Sequence, residues 1–401
     1  MDREALVARN RKLAAAFHER SFKERVRRAA LYDLARLPIP RSRRVRPDRI
    51  LLIRPDHLGD VLLTTPAIRM LRRALPYAEI HALVGPWSSG VLADYDDLDV
   101  VLTLPFPGFS RSPKPDWKSP YQLLLRSARH LRRIGYGSAV IFRPDHWWGA
   151  MLAHFAGIPH RVGYGLPEVG PFLTETHELQ RGHVVEQNLR LVEHWTGPIA
   201  AEKVVLSYPV SEQDRLFVQE RLDEWGLDRD ARLIAIHPGS GAWVKRWQEE
   251  RWAQVADLLA REYDATIVIT GADHELAMAR RIADRMLAPA RLVVGDTQIG
   301  QLAALYERAL LVLGPDSGPL HLAVAVETPT VALFGPADPA EFGPWGPPDR
   351  HIVLASPIGC RPCRVLDWGG DPPENHPCMA DITVMQVVQA ARRLLREHAP
   401  D

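Results

Sequence analysis

Cysteine is scarce in this chain: three residues among 401, at positions 360, 363 and 378. Three thiols cannot build a disulfide framework, so the default expectation is a cytoplasmic address. No apolar run approaches the ~18 residues needed to cross a bilayer. The uncharged stretch "GAMLAHFAGIPH" is short and broken by Gly, His and Pro. The N-terminus alternates charged and apolar residues and lacks the continuous apolar core of a secretory signal. Net charge is almost absent, at +1. It is unevenly spread, because residues 1–49 hold 15 Lys/Arg against 6 Asp/Glu, which leaves the body mildly acidic. A nucleic-acid protein would carry its basic face on the folded domain, so that class is excluded.

What is present is alternation. Residues 4–36 read as a basic helix without Gly or Pro, closed by "LPIPRSRRVRPDR". Two readings of it stand: a solvated helix packed on the body, or, over residues 1–45, an interfacial segment drawn to an anionic membrane surface. From residue 50, short apolar runs alternate with amphipathic helices, first from "ILLIR" to "HVVEQNLRLVEHW", then from "RLIAIHPG" to "TVALFGP". The helix after the first run is expected over 61–75, and the Pro-rich 105–118 is expected as an excursion. Such alternation implies parallel sheets covered by helices on both faces. The expected organisation is a basic helical extension (1–47), an N-terminal Rossmann-like domain (48–200) and a connection (201–230). A C-terminal Rossmann-like domain (231–380) and a final helix (381–401) complete it. Ligands of open α/β sheets bind beyond the carboxyl ends of the strands, so the loops after strands carry the functional expectation.

In the second series, "GPDSGPLH" places Asp316, Ser317 and Gly318 at a strand-to-helix junction. Free amides and the helix dipole favour a phosphate there, although Asp and Ser also serve simply as caps. "HPGSGAWVKRW" offers Gly239, Ser240, Lys245 and Arg246, a flexible loop ending in two cations suited to a departing diphosphate. "TGADHE" offers Gly271 after a strand and Glu275 in the first helical turn, able to accept hydrogen bonds from a ribose. None of these loops is a Walker or dinucleotide fingerprint. In the first series, "RPDHLGD" and "RPDHWWG" share a tetrapeptide. Arg54, His57, Arg143 and His146 are positioned to meet an anionic acceptor, and Asp60 follows the permissive Gly59.

Together these stretches resemble glycosyltransferase family 9, the ADP-heptose:lipopolysaccharide heptosyltransferases. The resemblance runs over about 48–397 and is carried by "IRPDHLGDVLLTTPAIRMLRRALP", "HPGSGAWVKRWQEERWAQVADLL", "ITGADHELAMA" and "LGPDSGPLHLAVAVETPTVALFGPADPAEFGPWG". It implies α/β GT-B architecture: two Rossmann-like domains facing a central cleft, the acceptor on the N-terminal one and a nucleotide-sugar donor, ADP-heptose, on the C-terminal one. It implies inversion without a metal or other cofactor for chemistry, with Asp60 as general base and Lys245 meeting the diphosphate. Asp316, Ser317, Gly318 and His321 would lie against the nucleotide. The implied acceptor is a lipopolysaccharide-core or related lipid-linked glycan, met by a cytoplasmic enzyme or one peripheral to the inner face of the plasma membrane. An acid in the first loop is then intelligible, since a base belongs opposite the leaving group and not beside it. The loop "RPDHLGD", the 105–118 excursion and the basic extension depart from the familiar heptosyltransferase pattern, so family is better specified than sugar or acceptor.

Cys360, Cys363, His376 and Cys378 have spacing tolerable for a structural zinc, or are simply reduced thiols in a Pro-rich tail. Two other functions compete with transfer. Another GT-B nucleotide-sugar enzyme, an epimerase or hydrolase, would turn over donor alone. A non-catalytic nucleotide-sugar or glycan-binding subunit would need no base opposite a leaving-group clamp.

Overall fold

The computed structural model describes residues 3–16, 22–40, 44–110, 116, 118–366 and 376–398. The chain divides into two compact units, one of residues 20–204 and one of residues 1–19 with 205–401.

The unit of residues 20–204 is built on six parallel strands: β1 Arg46–Arg54, β2 Glu79–Val84, β3 Val100–Thr103, β4 Tyr136–Ile141, β5 His160–Tyr164 and β6 Glu175–His177. Their spatial order is β3-β2-β1-β4-β5-β6. Ile50 to Ile53 are at most 2% exposed, as a strand covered on both faces must be. The helix Trp147–Phe155 contributes Trp148, Ala150, Met151 and Leu152 to the core beside them. The expected helix over 61–75 is two helices, Leu58–Leu62 and Thr65–Ala74. Pro66 lies in the first turn of the second, where its missing N–H is no loss, so the chain restarts a helix there. The helix Ser119–Ile134 ends on Gly135 at φ 81, a left-handed cap that glycine adopts without strain. The expected excursion at 105–118 is described only for 105–110, 116 and 118.

The other unit has β7 Leu233–Ile236, β8 Thr266–Gly271, β9 Ala290–Val294, β10 Leu311–Pro315, β11 Thr330–Phe334 and β12 His351–Ala355. They are again all parallel, in the order β12-β11-β10-β7-β8-β9. Within its own unit each sheet therefore runs 3-2-1-4-5-6, the Rossmann order. The edge strands β6 and β12 were not expected from the sequence. Residues 201–230 are more than a connection. They contain the helix Glu212–Glu224, whose Arg215 Nε lies 2.7 Å from Glu307 Oε2. The helix Val384–His398 buries Val387, Val388, Ala391, Leu394 and Leu395 in this unit's own core, with Ile234, Ile267 and Leu311 of the strands.

The basic extension is two helices, Arg3–Ala16 and Phe22–Ala35, and they belong to different units. Asn10 is fully buried against the C-terminal tail, and Arg11 Nη2 donates to Gly359 O at 3.0 Å. Leu31 joins the core of the other unit. Residues 17–21 and 41–43 of this extension lie outside the described residues. Among the described residues no helix is long and apolar enough to cross a membrane.

Candidate active site

In a sheet of order 3-2-1-4-5-6 the chain reverses direction between the first and fourth strands, and ligand crevices open there. In the first unit those strands are β1 and β4, which pair directly. The two RPDH loops follow them, so the repeated tetrapeptide is brought side by side. Each loop makes the same internal ion pair: Arg54 Nε lies 2.8 Å from Asp56 Oδ2, and Arg143 Nε donates to Asp145 Oδ1 at 2.6 Å. The first is a close charge contact without hydrogen-bond alignment. Arg143 Nη1 also donates across the gap to Asp56 Oδ1. Burial opposes the charge of Asp56, yet the Arg54 and Arg143 guanidiniums hold its carboxyl below the ordinary range. The same ion pairs push Arg143 upward against the cost of its burial.

Asp60 sits in the first turn of Leu58–Leu62, whose N-cap is His57, so it is not itself the cap. Its side chain is 36% exposed, and Arg54 Nη2 donates to Oδ1 at 3.1 Å. Arg54 is thus turned onto two carboxylates and is only 6% exposed. The loop is braced from behind: Trp87 Nε1 and Ser88 Oγ both donate to Asp56 O at 3.0 Å. Asn188 Nδ2 donates to Leu63 O at 2.9 Å and fixes the end of the short helix. His57 is exposed beside Trp87. His146, expected at the acceptor, is 4% exposed among Phe106, Phe109 and Trp148, with neither ring nitrogen hydrogen-bonded. Burial pushes its pKa down to about 3. Phe109, Tyr121, Arg143 and Trp147 line a cavity of about 410 Å³ next to it.

In the second unit the strands flanking the reversal are β7 and β10, also paired. The loop after β7 turns through the 3-10 segment Trp243–Lys245, and Lys245 Nζ lies 2.7 Å from Asp316 Oδ2. Ser240 Oγ donates to Asp316 O at 3.2 Å, tying this loop to the one after β10. Ser317 precedes the helix Gly318–Ala325, and its buried Oγ makes no hydrogen bond. An orphaned hydroxyl at a helix N-terminus, with a lysine nearby, fits an oxyanion. Arg246 is exposed, whereas His321 is buried on the first turns of that helix. Glu275 is 6% exposed and accepts from the Ala272 amide at 2.9 Å. Its carboxylate also fills the space where Gly239 would carry a side chain, and it touches the corresponding space at Gly271.

Beneath these loops runs a network that the sequence did not reveal. Tyr306 OH contacts Thr270 Oγ1 at 2.8 Å, Thr270 Oγ1 contacts His237 Nδ1 at 3.1 Å, and His237 Nε2 lies 4.0 Å from Glu275 Oε2. Burial pushes the His237 pKa down to about 4, so at neutral pH the imidazole is uncharged, hydrogen-bonded to Thr270 and close to Glu275 without a hydrogen bond to it.

With this geometry stands a direct match: residues 124–367 fit the model of glycosyltransferase family 9 (heptosyltransferase). The chain belongs to glycosyltransferase family 9. It is 26% identical to lipopolysaccharide heptosyltransferase 3 of Escherichia coli K12 over 352 residues, 85% of this chain and 96% of the relative. Lipopolysaccharide heptosyltransferase 2 of Salmonella typhimurium is 26% identical over 363 residues, 87% and 99% of the two chains. The solved family 9 glycosyltransferase of Veillonella parvula superposes with TM-score 0.76 at 27% identity, covering 89% of this chain and 99% of that one. E. coli ADP-heptose heptosyltransferase II superposes with TM-score 0.69 at 22% identity, 88% and 100% of the two chains, and shares the fold. This family 9 enzyme is therefore a glycosyltransferase of two Rossmann-like units, the GT-B architecture.

Its cysteine tail is a buried thiol cluster. Cys360, Cys363 and Cys378 are 7%, 8% and 1% exposed, and His376 Nδ1 lies 2.8 Å from Cys378 Sγ. Burial pushes the Cys378 thiol up to about 12 and raises Cys363 as well, which favours protonated sulfur. Among the described residues the four are not gathered to metal-ligand spacing; the group that is lies elsewhere, at His160, Glu175 and His194. Residues 367–375 of this tail lie outside the described residues.

Proposed function

We propose that this enzyme moves a heptosyl group from ADP-heptose to a lipid-linked saccharide acceptor of the lipopolysaccharide core, with inversion at the anomeric carbon. The observation that carries the reading is the donor loop pair: Lys245 beside Asp316, with the unsatisfied Ser317 Oγ at the start of Gly318–Ala325. A sugar-nucleotide diphosphate supplies the oxyanion those groups lack. Asp60, held by Arg54 and partly open to solvent, takes the proton of the attacking hydroxyl. Lys245 stabilises the charge that grows on the departing diphosphate. Arg246 lies at the same loop, and Glu275 and His321 are assigned to the nucleoside. His57, Gly59, Arg143 and the aromatic-lined cavity near His146 are assigned to the acceptor, where ring faces suit sugar C–H surfaces. The names of the E. coli and Salmonella relatives support heptose and lipopolysaccharide.

The test is to measure ADP release from ADP-heptose with and without a heptose-deficient core acceptor. Asp60→Asn should lose transfer by about 10²–10⁴-fold, the usual contribution of a general base, while ADP still raises the melting temperature. Equal ADP release without acceptor would make the protein a hydrolase, and near-native transfer by Asp60→Asn would remove Asp60 as base. The basic N-terminal helices are assigned to an anionic membrane surface. Flotation of the full chain with anionic vesicles should weaken as salt rises, and salt-independent flotation would end that assignment.

A further inference from the structure

A cluster remote from both reversal points stands out in the unit of residues 20–204. His160 opens β5, Glu175 opens β6, His177 closes β6, and His194 lies on the short helix Glu193–Thr196. The RPDH loops leave the carboxyl ends of β1 and β4. His160 and Glu175 stand at the amino ends of strands parallel to these, the other end of the sheet. We propose that His160, Glu175 and His194, with His177 beside them, bind a divalent transition-metal ion of the zinc class.

Three observations carry this. The ligand atoms of His160, Glu175 and His194 lie within 4.8 Å of one another. The separations from Glu175 are 2.8 Å to His160 Nε2 and 3.2 Å to His194 Nδ1 at Oε2, and 3.3 Å to His177 Nε2 at Oε1. Bonds of about 2.0–2.1 Å arranged tetrahedrally put neighbouring ligand atoms about 3.3 Å apart, so little movement is needed to close around an ion. The outer partner of a metal-bound histidine is also in place. His160 Nδ1 contacts the buried Ser138 Oγ at 3.2 Å, which fixes the ring and leaves Nε2 for the site. The side chains are 24–49% exposed, so an ion can reach them from solvent. Imidazole and carboxylate together suit zinc, nickel, cobalt or copper better than calcium or magnesium. A bound ion would clip the short edge strand β6 to β5 and to the helix Glu193–Thr196.

The experiment titrates chelator-treated, desalted full-length protein with Zn²⁺ in a calorimeter, beside the variants His194→Ala and His160→Ala/His194→Ala. The cysteine tail is unchanged in all three, so any metal it takes cancels in the comparison. The wild type should bind one more equivalent of zinc than the double variant, and zinc should raise its melting temperature. His194→Ala, altered at the most exposed ligand, should bind that equivalent about a hundredfold more weakly or worse. The Co²⁺ difference spectrum, wild type minus double variant, should show d–d bands without thiolate charge transfer, and Ni²⁺ should quench Trp195, whose ring centroid is 5.1 Å from His194. Equal zinc stoichiometry and equal thermal shift in the wild type and the folded His194→Ala protein would overturn the site. A purely thiolate-type cobalt difference spectrum would do the same.

Discussion

Lys245 Nζ lies 2.7 Å from Asp316 Oδ2, and the carboxylate it meets is only 6% exposed. The loop expected to hold a phosphate therefore carries its own negative charge, neutralised by the cation expected to do the holding. In the proposed donor role an incoming diphosphate would share that lysine, so the pair would bear on both affinity and stability. Lys245→Met should reduce transfer by about 10²–10³-fold, the usual consequence of removing a charge-stabilising donor. It also strands a buried carboxylate, which costs about 3 kcal/mol. Lys245→Met/Asp316→Asn should recover most of the urea midpoint and none of the transfer. Recovery of both would place Lys245 outside the chemistry.

Gly239 is closely approached by a side chain that the Ala272 amide holds in place. A methyl group there would overlap Glu275 Oε1. Gly239→Ala should cost about 1–3 kcal/mol through overpacking and weaken ADP binding, because Glu275 must give up its place against the Ala272 amide or the loops must move. Adding Glu275→Ala removes the overlap, so the double variant should be more stable than the sum of the singles predicts. Strict additivity in denaturant melts would reject the contact as the cause.

Arg54 holds two carboxylates with one planar group, Nε at Asp56 and Nη2 at Asp60. A lysine carries the charge without the fork. If Asp60 is the proposed base, Arg54→Lys should leave ADP binding unchanged and lower kcat about 10²-fold by letting its carboxylate drift. A fall in ADP affinity with kcat preserved would show that Arg54 acts elsewhere.

The buried histidines set the acid limit. His146 has its pKa pushed down by burial to about 3, against an ordinary value near 6.5. Between those values the unfolded chain takes up a proton that the folded chain refuses. The stabilisation is complete above about pH 6.5 and is lost as pH falls towards 3. One such group contributes about 1.4 kcal/mol per pH unit inside that window. His237 and His376, pushed down by burial to about 4, act with the same sign. His146→Leu should flatten the slope of unfolding free energy between pH 6 and 4 by about one proton. An unchanged slope would mean that His146 already charges in the folded state.

Much of the fold was readable because its signals are local. Continuous runs such as "ILLIR" and "TVALF" announce strands covered on both faces, and Gly135 announces a helix end. Pro66, in the first turn of the second helix, is the local signal that the single helix expected over 61–75 did not use. Of the edge strands, Glu175–His177 is three polar residues with no period and was not readable, whereas His351–Ala355 carries the apolar run 352–355, a local strand signal that the expectation passed over. At the site, the residue types in the loops were legible and their pairings were not. Asp56 joins both RPDH loops because β1 and β4 are neighbours, although 87 residues separate it from Arg143. His237 meets Thr270 and approaches Glu275 because these arrive from the next strand and its loop. Such relations depend on strand order, which no local pattern encodes.

The twin strand order has an engineering consequence. One scaffold serves twice, with arginine–aspartate turns at one reversal and a glycine–serine–lysine turn at the other. The residues proposed for the chemistry lie mostly on short segments that follow these strands. Grafting the segments at 237–247 and 315–321 from a relative with another sugar nucleotide should alter donor choice while leaving the strands beneath untouched.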